Sequence, residues 1–342
     1  MTEAASSPET SPEPSPDQAE LVGDLEKVAA KLVDVKNGVG RIIFGQHRVI
    51  EETLITLLAG GHVLLIGVPG LGKTRLVETL GRVLGLDEKR VQFTPDLMPA
   101  DILGSEVLEE SEGGKRSFRF IQGPVFCQLL MADEINRASP RTQSALLQAM
   151  QEHRVSVAGH YHGLPRPFHV LATQNPLEQE GTYPLPEAQL DRFLMQVNID
   201  YPQLTAEREI LTATTGAEEE KPVQVISADQ LQHAKRIVRH VPVGDSVMSA
   251  ILEMVRSGRP TSSDIPEVIE HVAWGPGPRA SQALMLAVRG RAVIQGRLAP
   301  SIDDVLALAQ PVLRHRMALN FAARAEGVTL EKVIDKLASR IG

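Results

Sequence analysis

One run of residues has the types and spacing to hold phosphate: Gly67-Val68-Pro69-Gly70-Leu71-Gly72-Lys73-Thr74. It fits G-x-x-x-x-G-K-[ST], in which glycines let backbone amides approach an anion that a Cβ would push away. Val68, Pro69, Gly70, Leu71 and Gly72 then form the cradle. Lys73 supplies a point charge for the outer phosphates, and Thr74 offers a hydroxyl to Mg²⁺. Arg75, the next residue, is counted with them as nucleotide-binding. A second candidate is the acidic pair Asp133-Glu134, which closes an apolar run, Gln128 to Ala132. A nucleotide hydrolase needs one acid to hold Mg²⁺ opposite the loop threonine and a neighbour to deprotonate an attacking water. On its own the pair reads equally as a solvated strand end; behind a phosphate loop, the catalytic reading is preferred.

These groups need a strand to deliver the loop and a helix that opens on it. The apolar run His62-Val63-Leu64-Leu65-Ile66 precedes the loop, and Arg75-Leu76-Val77-Glu78-Thr79-Leu80 follows it, so free helix N–H groups face the phosphates. Further strands are expected over 91–94, 128–132, 168–173 and 194–199, with helices over 21–38, 47–58 and 139–152 between or before them. Strands that alternate with helices and are nearly all apolar call for a parallel sheet covered on both faces. Two hairpins are expected, near 104–123 with a Ser111-Glu112-Gly113-Gly114 turn, and near 153–162 around Gly159. Past residue 201 the strand signal fades into helices over 231–238, 246–255, 279–295, 302–319 and 330–341, with Ser301-x-x-Asp304 as a capping box. The expected fold is therefore α/β with a smaller C-terminal all-α domain: residues 21–204, then 205–342. The Ser/Pro/Glu-rich stretch 1–20 is expected to be disordered, and Glu218-Glu219-Glu220 reads as linker.

Composition excludes several classes. The chain has 342 residues, 42% hydrophobic and 23% charged, as an ordinary globular protein does. A net charge of −8 and 4% aromatic residues argue against nucleic acid. The lone Cys127 allows no internal disulfide and fits a reducing cytoplasm. No apolar run is long enough to span a membrane, and the N-terminus lacks a signal-peptide layout. His160 and His162 share a strand face at metal-ligand spacing without a third ligand, so a polar hairpin face is the simpler reading. Arg137 and Arg141 read as solvated helix charges or as groups crossing a subunit boundary.

Four blocks in this order, Gly-Val-Pro-Gly-Leu-Gly-Lys-Thr, Met-Ala-Asp-Glu-Ile-Asn-Arg-Ala (131–138), Ala-Thr-Gln-Asn-Pro (172–176) and Pro-Glu-Ala-Gln-Leu-Asp-Arg-Phe (186–193), resemble the MoxR family of AAA+ ATPases. The resemblance runs from about Ile42 to the end of the chain. It implies an AAA+ phosphate-loop fold with a helical lid, a homo-oligomeric ring (commonly hexameric) and hydrolysis of ATP with Mg²⁺ bound by Thr74 and Asp133. Glu134 would be the base, Asn175 the first sensor and Arg192 a finger supplied to a neighbouring subunit, with an ion pair to Asp191 or Glu187 as its alternative. Arg279, in Gly-Pro-Gly-Pro-Arg-Ala, would be the second sensor, pointing back at the nucleotide from the lid. The family more often has Ala-Ser where Pro276-Gly277 stand here. Phe44-Gly45-Gln46 resembles the segment that lines the adenine pocket; a helix-entry turn is its alternative. The hairpins resemble the inserts of this branch, the second of them pore-facing. Implied partners are a von Willebrand factor A domain protein and a client that is remodelled, matured or loaded with a cofactor. A magnesium-chelatase-type motor shares the architecture. A nucleotide-gated scaffold would not need Glu134, Asn175 and Arg192 together, and charge disfavours a nucleic-acid translocase.

Overall fold

The computed structural model describes residues 16–110, 116–178, 180–216 and 220–341. Five parallel strands form the central sheet, in the spatial order Glu88–Gln92, Leu129–Asp133, His169–Gln174, Val63–Ile66, Met195–Asn198. The three inner strands are buried at almost every position because both faces are covered. Leu65, Leu129, Met131 and Leu171 pack beneath helices Pro16–Gly40, His47–Ala59 and Lys73–Val83. Their alternates Leu64, Leu130, Ala132 and Val170 join the cluster that includes Leu146, Leu147 and Met150 of the Pro140–Glu152 helix. Ser139 caps that helix by accepting from the Thr142 N–H.

The edge strand departs from expectation. It spans Glu88–Gln92, not 91–94, and only Val91 of its residues is buried. A charged edge resists unwanted strand pairing but carries no apolar signature. The first helix begins at Pro16, ahead of the apolar spacing that started at Leu21, since periodicity reports only where a helix meets the core. Disorder was expected to residue 20; residues 16–20 are helical, and 1–15 lie outside the described residues.

The first hairpin pairs Gly104–Glu110 with Arg116–Gln122, its expected turn falling outside the described residues. The second pairs Arg154–Val157 with His160–Gly163 around Ala158 and Gly159, both at positive φ. The His162 ring stacks on Phe120 with centroids 3.9 Å apart, and His160 lies 3.7 Å from Glu106, so both histidines join the two hairpins. Among the described residues no cluster of His, Cys, Asp and Glu could hold a metal ion.

After the sheet, Leu204–Thr215 leads away with only Ala206 buried, and the chain returns to bond the Val83 carbonyl through the Val225 and Ile226 N–H groups. In the helical C-terminal part, Pro278–Ile294 packs against His47–Ala59, Asp245–Ser257 and Ile302–Leu313. Gly290 faces Ile55 across the contact with His47–Ala59, where an added Cβ would lie at 3.4 Å, an ordinary contact distance. The helix expected over 302–319 ends at Leu313. Ala318–Leu319 instead pairs antiparallel with Val272–Trp274, so the lid carries a two-stranded ribbon as well as helices. Among the described residues no helix is long and apolar enough to cross a membrane.

Asp304 does more than cap. It accepts from the Ser301 N–H at 2.8 Å, from Arg291 Nη1 at 2.5 Å and from Arg297 Nη1 and Nη2 at 2.8 and 2.5 Å, with its side chain fully buried. Burial alone would raise its pKa, but the bonds from Arg297, Ser301 and Arg291 outweigh that and hold it below the ordinary 3.8. A depressed carboxylate contributes stability that is complete above about pH 4 and disappears as pH falls through its folded value. Asp304→Ala is expected to cost about 2–3 kcal/mol at pH 7, below the roughly 3–5 kcal/mol of a fully buried pair because Arg297 is partly solvated. In urea titrations the gap between wild type and variant should shrink below about pH 4. Equal stability at pH 7 would show the cluster to be neutral.

Candidate functional site

The sheet delivers the glycine-rich loop as the sequence requires. Ile66 ends its strand, and a Cβ on Gly67 would come within 2.9 Å of the Ile199 carbonyl oxygen. Gly70 and Gly72 take φ of 85° and 75° with open space where a Cβ would be, a cradle that side chains would strain and fill. Gly72 caps the Lys73–Val83 helix, so Lys73, Thr74 and Arg75 stand on its first turn. The Lys73 ammonium donates to the Gly67 and Val68 carbonyls at 2.5 and 2.9 Å. Burial lowers its pKa, while Asp133, Glu134 and Glu178 pull it back up.

Beside the loop lies a cavity of about 210 Å³ walled by Ile42, Ile43, Phe44 and Ile210, with Gly70 to Gly72 on its rim. Gly45 holds a left-handed φ of 71°, and a Cβ there would meet the Ala206 Cβ at 2.3 Å. Gln46 Nε2 donates to the Leu71 carbonyl at 3.0 Å, tying this segment to the loop. The Phe44-Gly45-Gln46 segment thus enters a helix and also lines a cavity at the loop.

Both acids stand at the carboxyl end of the Leu129–Asp133 strand, which the His169–Gln174 strand separates from the one that delivers the loop. Asp133 is buried; its Oδ1 accepts from the Thr173 hydroxyl at 2.6 Å and its Oδ2 from Arg90 Nε and Nη2 at 3.2 and 2.5 Å. Glu134 is left-handed at φ 55°, an uncommon conformation for a residue with a Cβ that marks it for a functional reading. Its N–H donates to Thr173 Oγ1 at 2.8 Å, and its Oε2 accepts from Gln92 at 2.7 Å and Arg137 at 3.1 Å. Arg137, expected as a solvated helix charge or a group crossing a subunit boundary, is partly exposed and ion-paired to Glu134. Asn175 ends the neighbouring strand, buried, with its side-chain oxygen accepting from the Leu177 N–H at 3.1 Å. It forms the turn before Leu177 and also faces the same edge as the acids. Arg90 and Gln92 carried no motif, and Thr173 lay in the 172–176 block without being singled out; only the strand register shows that alternate edge residues reach both acids.

The arginines lie elsewhere. Arg192 precedes the last strand and so stands at the amino edge of the sheet, where every neighbouring strand begins. Arg279 is there too, sharing a cavity of about 230 Å³ with Gly61, His62 and Arg192. Its Nη1 is 3.5 Å from Asp191 Oδ2. Since Gly61 and His62 precede the Val63–Ile66 strand and the loop follows it, Arg279 does not point back at its own chain's loop. The Pro278 helix start is as expected, but the lid packs behind the sheet and sends that start to the opposite edge. Arg192 makes no ion pair among the described residues, the Asp191 carboxylate being taken by Arg316 and Arg279. Burial, then the adjacent Arg279 charge, lowers the Arg192 pKa.

Arg316 was not singled out from the sequence. It is buried, and all five of its N–H groups are used: on Asp191 Oδ1 (2.8 Å) and on the carbonyls of Asp191, Phe193, Leu194 and Val312 (3.3, 2.6, 3.0 and 2.7 Å). A lid residue thereby fixes the segment that carries Arg192. Nothing local marks such an arginine, since four of its five bonds go to residues 122–125 positions away.

Residues 62–195 match the ATPase family associated with various cellular activities (AAA), and residues 268–337 match the AAA lid domain. Among curated proteins, Chaperone MoxR1 of Mycobacterium tuberculosis is 41% identical over 319 residues, covering 92% of this chain and 84% of that protein. Protein MoxR of Paracoccus denitrificans is 30% identical, covering 85% and 89%. A crystal structure of a proposed ATPase from Cytophaga hutchinsonii superposes with a TM-score of 0.86 at 34% identity, covering 95% of this chain and 98% of that one. With its α/β sheet, its loop and acids on one edge and its C-terminal lid, the chain belongs to the MoxR family of AAA+ ATPases.

Proposed function

We propose that this chain hydrolyses ATP with Mg²⁺ at a site shared by two copies in an oligomeric ring, and that turnover drives chaperone-like remodelling of client proteins. One observation carries the reading. The loop, Asp133, Glu134 and Asn175 gather at the carboxyl edge, while Arg192 and Arg279 stand together at the amino edge. The Val63–Ile66 strand alone separates the two groups by about 13 Å at the usual 3.3 Å rise per residue. Two adjacent guanidinium groups, one of them without an ion pair among the described residues, suit an anion, and the triphosphate on a neighbour's loop is such an anion. A closed ring of like subunits presents each amino edge to the next carboxyl edge; a hexamer is the form the resemblance implies.

Within the shared site, the amides of the 67–74 loop and Lys73 bind the phosphates, and the cavity at Phe44, Gly45 and Gln46 receives the base. Thr74 and Asp133 are hard oxygen donors that would hold Mg²⁺, which would supply positive charge to the phosphoryl group. Glu134 removes a proton from the attacking water, and Asn175 orients that water or the γ-phosphate. Arg192 and Arg279 of the adjoining copy stabilise charge on the phosphoryl oxygens. The chaperone role follows the name of the Mycobacterium tuberculosis relative. A von Willebrand factor A domain protein and a client complete the assembly the resemblance implies.

Glu134→Gln is expected to bind ATP with unchanged affinity and to turn it over about 10²–10⁴-fold more slowly. Turnover near that of wild type, followed by phosphate release, would remove Glu134 from the base role. Arg192→Ala and Arg279→Ala should each bind ATP and lose about 10³-fold in turnover. Neither recovers alone. Mixed with Lys73→Ala subunits, each should regain part of its activity, because one copy then supplies an intact loop and the other the missing arginine. No recovery at any mixing ratio would show that loop and arginines act within one chain.

A further inference from the structure

Asp133 is more fully engaged by protein than a metal-side carboxylate needs to be. Both Arg90 donors fall on Oδ2 and the Thr173 hydroxyl on Oδ1, which uses about three of the roughly four lone-pair sites a carboxylate offers. The engaging cation is set up to be movable. Arg90 sits on the edge strand with its side chain half exposed, whereas Asp133 is buried. In the strand register Arg90 pairs with Met131 and Gln92 with Asp133, so Arg90 must lean forward by two residues, toward the carboxyl edge and the loop, to reach its partner. Its guanidinium also donates to Gln92 Oε1 at 3.3 Å, and Gln92 in turn holds Glu134 at 2.7 Å. One hydrogen-bonded chain thus runs from Thr173 through Asp133, Arg90 and Gln92 to Glu134.

We propose that Arg90 is a built-in counter-cation for Asp133 that competes with Mg²⁺, and so sets the magnesium concentration at which nucleotide binding tightens. The proposal rests on Thr74 and Asp133 being the metal-side residues. A guanidinium is charged at every accessible pH, so the competition is constant and not titrated away. It repels a dication approaching the same carboxylate and occupies the lone pairs a metal-bound water would use. Its half-exposed position gives it water to retreat into, and the arriving dication replaces it as the counter-charge of the buried carboxylate. When it retreats, Gln92 loses a donor and its hold on Glu134 slackens, so metal arrival at one acid is felt at the other. Arg90 acts through Asp133 and is a positioning residue.

The test is equilibrium binding of the fluorescent, non-hydrolysable analogue mant-AMPPNP to the full chain, titrated with MgCl₂ at fixed ionic strength. Arg90→Gln is expected to lower the Mg²⁺ midpoint by about three- to tenfold, the size of one unit charge removed a few ångströms from the metal. Affinity in excess EDTA should not change. Arg90→Lys keeps the charge without the two-donor fork and should fall between Arg90→Gln and wild type. A midpoint unchanged or raised in Arg90→Gln overturns the proposal, the latter because it would make Arg90 a support for metal binding. If thermal melts show Arg90→Gln to be unfolded, Arg90→Lys decides: no downward shift overturns it. Wild-type protein that fails to bind the analogue at any Mg²⁺ concentration would instead overturn the nucleotide site itself.

Discussion

Parallel strands present all their carboxyl ends on one side, and that polarity governs where every reactive group of this chain can be. The loop follows one strand, Asp133 and Glu134 end another and Asn175 follows a third, so they meet at one edge without any long-range search. Arg192 leads into a strand instead of leaving one, and Arg279 comes from a lid packed behind the sheet. No loop movement of ordinary size brings these to their own carboxyl edge, because the sheet itself lies between. On the proposed reading a subunit carries one half of a site on each side, and association of copies is then part of the chemistry.

The amino edge is built around a buried cation. Taking a guanidinium out of water is costly, and Arg316 offsets the cost only because each of its five N–H groups finds an oxygen. Four of those bonds go to Asp191, Phe193 and Leu194, the residues on either side of Arg192. His315 adds a bond to the Phe193 carbonyl at 3.0 Å; burial holds its pKa well below the ordinary 6.5, so the ring stays neutral. With Asp191 committed to Arg316 and Arg279, Arg192 has no opposite charge paired to it among the described residues. The lid is therefore a structural part of the arginine edge as well as a cover for the sheet.

The carboxyl edge has the opposite character. Its two acids lie one residue apart, yet each is held by different donors: Asp133 by Arg90 and Thr173, Glu134 by Gln92 and Arg137. Arg90 and Gln92 share a face of the edge strand because side chains repeat every two residues. The Thr173 hydroxyl donates to Asp133 and accepts from the Glu134 N–H, so the two acids are fixed relative to each other through the neighbouring strand. Glu134 tolerates its left-handed backbone because that bond and its two side-chain donors over-determine it.

What could be read along the chain was whatever local geometry alone enforces. Gly70 and Gly72 must be glycine for their φ values, Lys73 and Thr74 must open a helix, and the apolar runs at 63–66, 129–132 and 169–172 must be inner strands. The order of the four blocks then named the family, and the hairpins and most helices fell within a few residues of where periodicity put them. The edge strand was displaced because its burial is one-sided and its residues charged. The 302–319 helix was overextended because the bonds that stop it, such as those of Arg316 to Phe193 and Leu194, come from more than a hundred residues away. Arg279 was identified by type and placed at the wrong edge, since a motif records that an arginine exists and only the packing of the lid records where it points. Arg90, Gln92 and Arg316 carried no signal, because their meaning lies in strand register and burial, which are properties of the folded chain.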